Sequence, residues 1–116
     1  MIFTPSDRRR HPRVYLELDY RFFSSDGEHL GKTNNISLSG AFLHAPEPDL
    51  AMSAVSQIGK LEIKLKDDHW LSFKCEVVYI AGNNDQGLPI GAGVAFCDTD
   101  DETGRSLMEL ADAIED

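Results

Sequence analysis

Hydrophobic and polar residues alternate along most of the chain, a pattern that predicts short β-strands with one buried face. The first alternation covers residues 14–22, and the Asp-Gly pair within residues 24–27 favours the tight turn of a β-hairpin. Further strands are predicted over residues 28–36, 41–44, 60–66, 70–80 and 90–96. Six or so short strands separated by turns indicate a small antiparallel barrel or sandwich.

Two stretches within this pattern are less regular. Residues 45–48 contain two prolines, which predict the end of the third strand because proline cannot donate to a β-ladder. Residues 49–57 are compatible with either a loop or a short turn of helix. The longest predicted strand is the one over residues 70–80. One of its faces is predicted to carry Phe73, Cys75, Val77 and Tyr79.

The periodicity becomes helical near the carboxyl end. The hydrophobic positions there are Leu107, Leu110, Ala111 and Ile114. Thr99 followed by Glu102 matches a capping box, with Thr99 as the N-cap, so one amphipathic helix is predicted to begin there and to pack on the barrel. The predicted organisation is one domain over residues 1–116, with a basic arm at 1–13, a β-barrel at 14–97 and an acidic helix at 98–116.

Length and charge narrow the function classes. A chain of 116 residues is too short for two independent cores of comfortable size. Its net charge of −9 disfavours a general nucleic-acid binder, because phosphate backbones repel an acidic domain. The charge is uneven, since residues 1–13 carry a net +3 and residues 98–116 a net −7. An acidic body with one short basic arm suits a small, localised anionic ligand.

The composition also bears on location and on metals. No apolar run approaches the roughly 20 residues that cross a bilayer, so membrane insertion is not expected. The first residues contain no apolar stretch of signal-peptide length, and Cys75 and Cys97 are too far apart for a metal knuckle. A cytoplasmic protein with reduced thiols and no metal or cofactor is therefore expected. The four histidines, all expected at the surface, are His11, His29, His44 and His69.

Two short stretches carry chemistry that a barrel does not need. The first is Arg-Arg-Arg-His-Pro-Arg at residues 8–13, where guanidinium groups match phosphate, the Hoogsteen edge of guanine and the faces of purines. The second, which we call the motif turn, is Asn-Ile-Ser-Leu-Ser-Gly at residues 35–40, with Gly40 permitting a bend or close backbone approach to a ligand. Taken singly, a solvated tail and an ordinary polar turn are the alternative interpretations.

Together, the two stretches resemble the paired motif of the PilZ domain family, bacterial receptors for cyclic diguanylate (c-di-GMP). The family pattern is Arg-x-x-x-Arg before the first strand and Asp/Asn-x-Ser-x-x-Gly between the second and third strands. The residues that match it are Arg9, Arg13, Asn35, Ser37 and Gly40. The resemblance extends to the strand at 90–96 and the terminal helix, and it implies a mainly β fold: a six- or seven-stranded antiparallel β-barrel with a C-terminal α-helix packed on it.

The resemblance implies a role for each matching residue. Arg9 and Arg13 would contact phosphate and guanine edges, and one of them would stack on a base. Asn35 and Ser37 would hydrogen-bond the ligand from the barrel surface, with Gly40 leaving room. Asn35 is the weaker of the two permitted residues, because a carboxylate accepts two charge-assisted hydrogen bonds from guanine whereas an amide offers one oxygen.

Three further residues enter through the same resemblance. Arg8 precedes the motif, where an arginine favours a stacked pair of dinucleotides over a single one. Tyr79 lies where many relatives have an aromatic residue facing the ligand, although a tyrosine at the rim of the core is the alternative. Arg10 is an additional candidate contact.

The sequence thus predicts a non-enzymatic sensor that binds c-di-GMP and presents an altered surface to an unidentified downstream protein. The alternative is a PilZ-like adaptor in pilus or flagellar control that binds protein and no nucleotide. A nucleic-acid-binding module is disfavoured by the charge. Catalysis is disfavoured because no serine is accompanied by a histidine base and an orienting third group.

Overall fold

The structure is a computed structural model that describes residues 14–81, 90–97 and 100–115. The strands in these ranges are β1 Val14–Tyr15, β2 Asp19–Ser24, β3 Gly27–Ile36, β4 Gly40–Glu47, β5 Ile58–Lys64, β6 Trp70–Ala81 and β7 Gly91–Phe96. A 3-10 helix covers Met52–Ala54, where the sequence is compatible with a loop or a helical turn. One α-helix, α1, covers Asp101–Glu115.

Six of the strands close into an antiparallel barrel. Neighbouring strands follow the order β3, β2, β5, β6, β7, β4, and β4 pairs with β3 to complete the ring. The short β1 lies beside the end of β3 as a seventh strand. The predicted mainly β fold, an antiparallel barrel of six or seven strands with a C-terminal helix, is confirmed.

The first predicted strand is interrupted. Residues 16–18 separate β1 from β2, so the continuous strand predicted over residues 14–22 is wrong. A side chain of β3 substitutes for a strand partner in this gap. The Thr33 hydroxyl accepts a hydrogen bond from the Leu18 N–H at 2.9 Å and donates one to the Leu16 carbonyl at 2.7 Å. Alternation cannot reveal such a break, because the leucines keep the period of a strand.

Strand β4 runs through Pro46 to Glu47, so the predicted end at residue 44 is wrong, and the strand ends directly before the second proline, Pro48. The pairing of β4 with β3 is irregular there, with a register shift between Leu30 and Lys32. Ala45 has a positive φ of 39°. Pro46 thus lies at a bulge, where the ladder does not require its missing N–H.

Hydrophobic side chains from all six barrel strands fill the interior. The largest of these, all fully buried, are Tyr20, Phe22, Ile36, Leu43, Leu61, Ile63, Leu71, Phe73 and Val77. Burial raises the pKa of the Tyr20 hydroxyl, which donates a hydrogen bond to the His44 carbonyl at 3.2 Å. Burial also raises the pKa of the Cys75 thiol, and a protonated thiol is a poor nucleophile.

His29 is buried, which corrects the expectation that every histidine lies at the surface. Its Nδ1 lies 2.6 Å from the Pro48 carbonyl oxygen and its Nε2 lies 2.8 Å from the Ser24 hydroxyl. Because a carbonyl only accepts hydrogen bonds, Nδ1 carries the proton. The His29 ring therefore joins β3 to the last residue of β2, Ser24, and to Pro48, which follows β4.

Helix α1 covers the part of β6 that extends beyond β7. The buried hydroxyls of Thr103 and Ser106 accept hydrogen bonds from the N–H groups of Lys74 at 2.8 Å and Ser72 at 3.1 Å. The helix thereby satisfies a strand edge that would otherwise be open. No helix in the described ranges is long and apolar enough to cross a membrane.

The amino-terminal cap of α1 differs from the prediction. The Thr103 N–H donates to Asp100 Oδ1 at 2.9 Å, which makes Asp100 the N-cap instead of Thr99. Hydrogen bonds from the Thr103 side chain and backbone lower the pKa of Asp100. Thr99 itself lies outside the described residues.

Candidate ligand-binding site

The structure describes one half of the paired motif, and the other half lies outside the described residues. The described candidates are Asn35, Ser37, Gly40 and Tyr79. Those outside the described residues are Arg8, Arg9, Arg10 and Arg13. Val14, which follows the arm in sequence, pairs with Ile36, and Tyr15 pairs with Asn35. The barrel therefore begins directly beside the motif turn.

Backbone hydrogen bonds shape the motif turn. The Ser37 N–H donates to the Gly40 carbonyl at 2.9 Å, and the Ser39 N–H donates to Ser37 Oγ at 3.0 Å. Ser37 is only 5% exposed. Its hydroxyl thus has a structural task within the turn, whereas Asn35 is only partly buried.

Gly40 meets a packing requirement of the barrel. It pairs with Ala95 of β7, and a Cβ at position 40 would collide with the carbonyl oxygen of Val94. The close backbone approach that the sequence attributes to a ligand is made here by the neighbouring strand. Contact with β7 is therefore enough to explain a glycine at this position.

The strand register aligns five residues on the outer surface of the barrel, which we call the outer row. Across β1, β3, β4, β7 and β6, its members are Tyr15, Asn35, Phe42, Gly93 and Tyr79. Phe42 points outward because its neighbours Ala41 and Leu43 belong to the buried core. The outer row therefore connects Asn35 of the motif turn to Tyr79.

Tyr79 reaches the outer row through a β-bulge. Val77 pairs with Val94 but Tyr79 pairs with Gly93, so Val78 is an extra residue in β6. The bulge reverses the alternation, and as a result Val77 is 1% exposed and Tyr79 44%. The prediction that Tyr79 shares a face with Val77 is therefore wrong.

Phe42 and Gly93 are the residues of this surface that sequence reasoning missed. A Cβ at position 93 would lie 2.7 Å from Tyr79 Cζ, so the absent side chain lets the tyrosine ring lie against the sheet. The rings of Tyr79 and Phe42 are 6.3 Å apart, inclined at 31°. Phe42 is buried beneath this arrangement, and the half-exposed Tyr79 offers an aromatic surface. For Gly93, the available signal was the pair of glycines at alternate positions 91 and 93.

A second bulge lies next to Asn35. Thr33 pairs with Leu43 and Asn35 with Phe42, so Asn34 is an extra residue in β3. Asn34 Oδ1 is buried and accepts no hydrogen bond from any residue in the described ranges. A buried carbonyl of this kind suits a strong donor such as a guanidinium or a guanine N–H.

The motif turn and the outer row contain only uncharged residues. In the adjacent register, Lys32 is aligned with His44, and its ammonium group forms an ion pair with Asp19 at 3.0 Å. The described part of the site thus supplies hydrogen bonds and an aromatic ring but no charged side chain of its own. No group of metal-binding side chains is present in the described part of the chain.

A comparison with protein-family models matches the PilZ domain over residues 7–113. Among solved structures, the PilZ domain of CeSA from a cellulose-synthesizing bacterium is similar, with a TM-score of 0.70, 17% identity, and coverage of 90% of this chain and 99% of that one. The PilZ domain of YcgR from Escherichia coli with c-di-GMP has a TM-score of 0.66 and 16% identity, covering 93% and 92% of the two chains.

The inhibitor of motility MotI/DgrA from Bacillus subtilis is similar over 93% of this chain, with a TM-score of 0.68 and 17% identity. The chain spans about half the length of that protein, 50%. At these identities, the likeness to solved structures shows a shared fold. No curated protein sequence matches the chain.

Proposed function

The chain belongs to the PilZ domain family, and from this membership we propose that it binds c-di-GMP through the basic arm and the motif turn. The pairing of β1 with the end of β3 carries the proposal. Val14, bonded to Arg13, pairs with Ile36, which is bonded to Ser37. One half-motif therefore ends where the chain pairs beside the other half.

The two halves divide the chemistry of the ligand. C-di-GMP carries two phosphates, and the arm supplies the guanidinium groups of Arg8, Arg9, Arg10 and Arg13. Each hydrogen bond between a guanidinium and a phosphate contributes about 1.5–3 kcal/mol. The motif turn contributes neutral, directional groups, with the Asn35 amide accepting from a guanine edge.

Tyr79 completes the site as a stacking surface. Its half-exposed ring lies on the same outer row as Asn35. Stacking of a base on an aromatic side chain contributes about 1–3 kcal/mol. The c-di-GMP held by the related domain of YcgR supports the choice of ligand.

Binding is expected to signal without catalysis. The nucleotide fixes the arm against the barrel, and the changed surface is presented to a downstream protein that the sequence does not identify. The proposed output is an association between two proteins. It includes no step in which a bond of the nucleotide is broken.

Calorimetric titration of the protein with c-di-GMP tests the proposal. We expect saturable heat for the wild type and at least a tenfold weaker Kd, about 1.4 kcal/mol, for Arg13→Ala, because it removes a charged donor whose neighbour in sequence, Val14, pairs with Ile36. Arg105→Ala is the matched control, since this exposed arginine lies on α1. The stoichiometry of the same titration establishes whether the site, with Arg8, holds one dinucleotide or two.

Two results would contradict the proposal. One is an absence of heat with wild-type protein at excess nucleotide, which would favour a protein-binding adaptor of the same fold. The other is an equal loss of affinity in Arg13→Ala and Arg105→Ala, which would indicate general attraction between charges and no specific site.

A further inference from the structure

Thr33 is the only residue of the described chain whose side chain bridges the gap at residues 16–18 from both ends. It lies on β3, two positions before Asn35, and is 1% exposed. Its hydroxyl accepts from the Leu18 N–H at 2.9 Å and donates to the Leu16 carbonyl at 2.7 Å. Both capacities of one hydroxyl are thus spent on the segment between β1 and β2.

The gap depends on these bonds because a regular ladder is interrupted there. Two backbone hydrogen bonds remain at the ends of the gap. One runs from the Thr33 N–H to the Leu18 carbonyl at 2.8 Å, and the other runs from the Leu16 N–H to the Asn34 carbonyl at 3.1 Å. The Leu18 N–H and the Leu16 carbonyl remain, and the threonine hydroxyl satisfies both. Without it, two backbone groups beside a buried side chain would lose their partner.

Strand β1 is short enough to need this support. It comprises two residues, whose partners are Asn35 and Ile36. A pair of that length has little stability of its own, so its position follows from the segment that joins it to β2. The gap is therefore the element that holds β1, which follows the arm in sequence, in register with the motif turn.

We propose that Thr33 is a positioning residue: its hydroxyl fixes the gap, and through β1 it sets where the arm starts relative to Asn35 and Ser37. Thr33 faces the barrel interior and contacts no nucleotide in this proposal. Its effect on affinity rests on the proposed function, whereas its effect on β1 exists in the protein without nucleotide. A correctly placed arm lowers the ordering cost of binding, which is how a distant side chain changes affinity.

Two substitutions at position 33 separate the hydroxyl from the shape. Thr33→Val keeps the branched shape and removes both hydrogen bonds, whereas Thr33→Ser keeps the hydroxyl and loses a methyl group. Circular dichroism first establishes that each variant is folded. Thr33→Val should then bind c-di-GMP about tenfold more weakly than wild type, and the Kd of Thr33→Ser should lie within about twofold of the wild-type value. Ser106→Ala is the matched control, because it also removes a buried hydroxyl that accepts from a backbone N–H, at 3.1 Å, but on α1.

Hydrogen exchange without nucleotide tests the same residue independently of the ligand. The amides of residues 15–18 should exchange faster in Thr33→Val than in wild type and unchanged in Thr33→Ser. Equal exchange in Thr33→Val and wild type overturns the inference, as does wild-type affinity in a folded Thr33→Val. If wild-type protein binds no c-di-GMP, the proposed function fails while the exchange experiment still decides the role of Thr33.

Discussion

Asn35, Ser37 and Gly40 belong to one motif but meet different physical demands. Gly40 lies against the Val94 carbonyl of β7, where no side chain fits. Ser37 is buried, and its hydroxyl accepts from the Ser39 N–H. Asn35 instead lies in the outer row. Substitution at Asn35 can therefore change ligand affinity with little change to the barrel, whereas changes at the other two positions disturb the fold first.

Asn35→Asp is expected to strengthen c-di-GMP binding about fivefold, roughly 1 kcal/mol. The carboxylate can accept two charge-assisted hydrogen bonds from the N1–H and N2–H groups of one guanine, whereas the amide offers a single oxygen. Calorimetry on both proteins measures the change in Kd.

Ser39→Asp provides a comparison for the effect of a negative charge added to the motif turn. It adds the same negative charge at an exposed position of the motif turn, where repulsion of the phosphates should weaken binding. Weaker binding by Asn35→Asp would mean that position 35 faces a phosphate, and it would contradict the assignment of Asn35 to a guanine edge.

At the scale of elements, α1 is attached to the barrel by side-chain hydroxyls as well as by hydrophobic side chains. The hydroxyls of Thr103 and Ser106 accept from β6 where another strand would otherwise have to do so. Leu110 is fully buried and Leu107 packs partly on the core. Since Thr103 also donates its N–H to Asp100, the cap and the edge contact share one residue.

Asp100→Asn should lower the melting temperature at neutral pH. The lowered pKa of Asp100 means that its ionised form stabilises the folded protein. That contribution is present above the ordinary carboxyl pKa of about 3.9 and is lost as the pH falls through the lowered value. Thermal melts of both proteins should therefore differ at neutral pH and converge as the pH falls through the lowered pKa of Asp100.

Asp101→Asn is the matched control for this experiment. It removes the same charge from the first turn of α1 but leaves the hydrogen bond between Asp100 and Thr103 in place. Its effect on the melting temperature should be smaller. A difference between wild type and Asp100→Asn that persists unchanged into acid would contradict the assignment to ionisation.

The sequence predicts those elements whose pattern is local. Alternation locates the strands, and Asp-Gly locates the hairpin turn closed by the Ser24–Gly27 pair. Alternation does not locate bulges, because an extra residue such as Val78 is defined only by the strand that it faces. The cap is ambiguous for a different reason, since Thr99 and Asp100 are both good N-caps and packing of Thr103 on β6 selects between them.

The candidate site divides in the same way. The motif identifies Asn35, and the pairing of β1 with β3 places Val14, the residue that follows the arm in sequence, beside the motif turn. The sequence does not predict the direction of Tyr79, because its outward position follows from the bulge at Val78. No sequence pattern indicates a role for Phe42, because its burial results from a ring on another strand.

At the scale of the whole molecule, the gap at residues 16–18 and the end of α1 border the same groove. Leu16 and Leu18 of the gap face Leu65 and Ala113 across a space of about 340 Å³. The amino-terminal half of α1 is instead fixed by its bonds to β6. Because these residues line one groove, a displacement of Leu16 or Leu18 changes the surroundings of the last turns of α1 directly. A change at the gap is thus expected to reach the last turns of the helix and to spare its first turns.

Hydrogen exchange with and without saturating c-di-GMP tests this expectation. Amides of residues 16–18 and of the last turns of α1 should exchange more slowly with nucleotide, because a fixed arm restrains the gap and the groove beside it. The β2–β3 turn at residues 25–26 serves as the internal reference, and Arg13→Ala should abolish the effect. Slower exchange at the gap together with unchanged exchange in α1 would confine the signal to the arm surface. Protection of the first turns of α1 would contradict transmission through the groove, because those turns contact β6 and lie outside its lining.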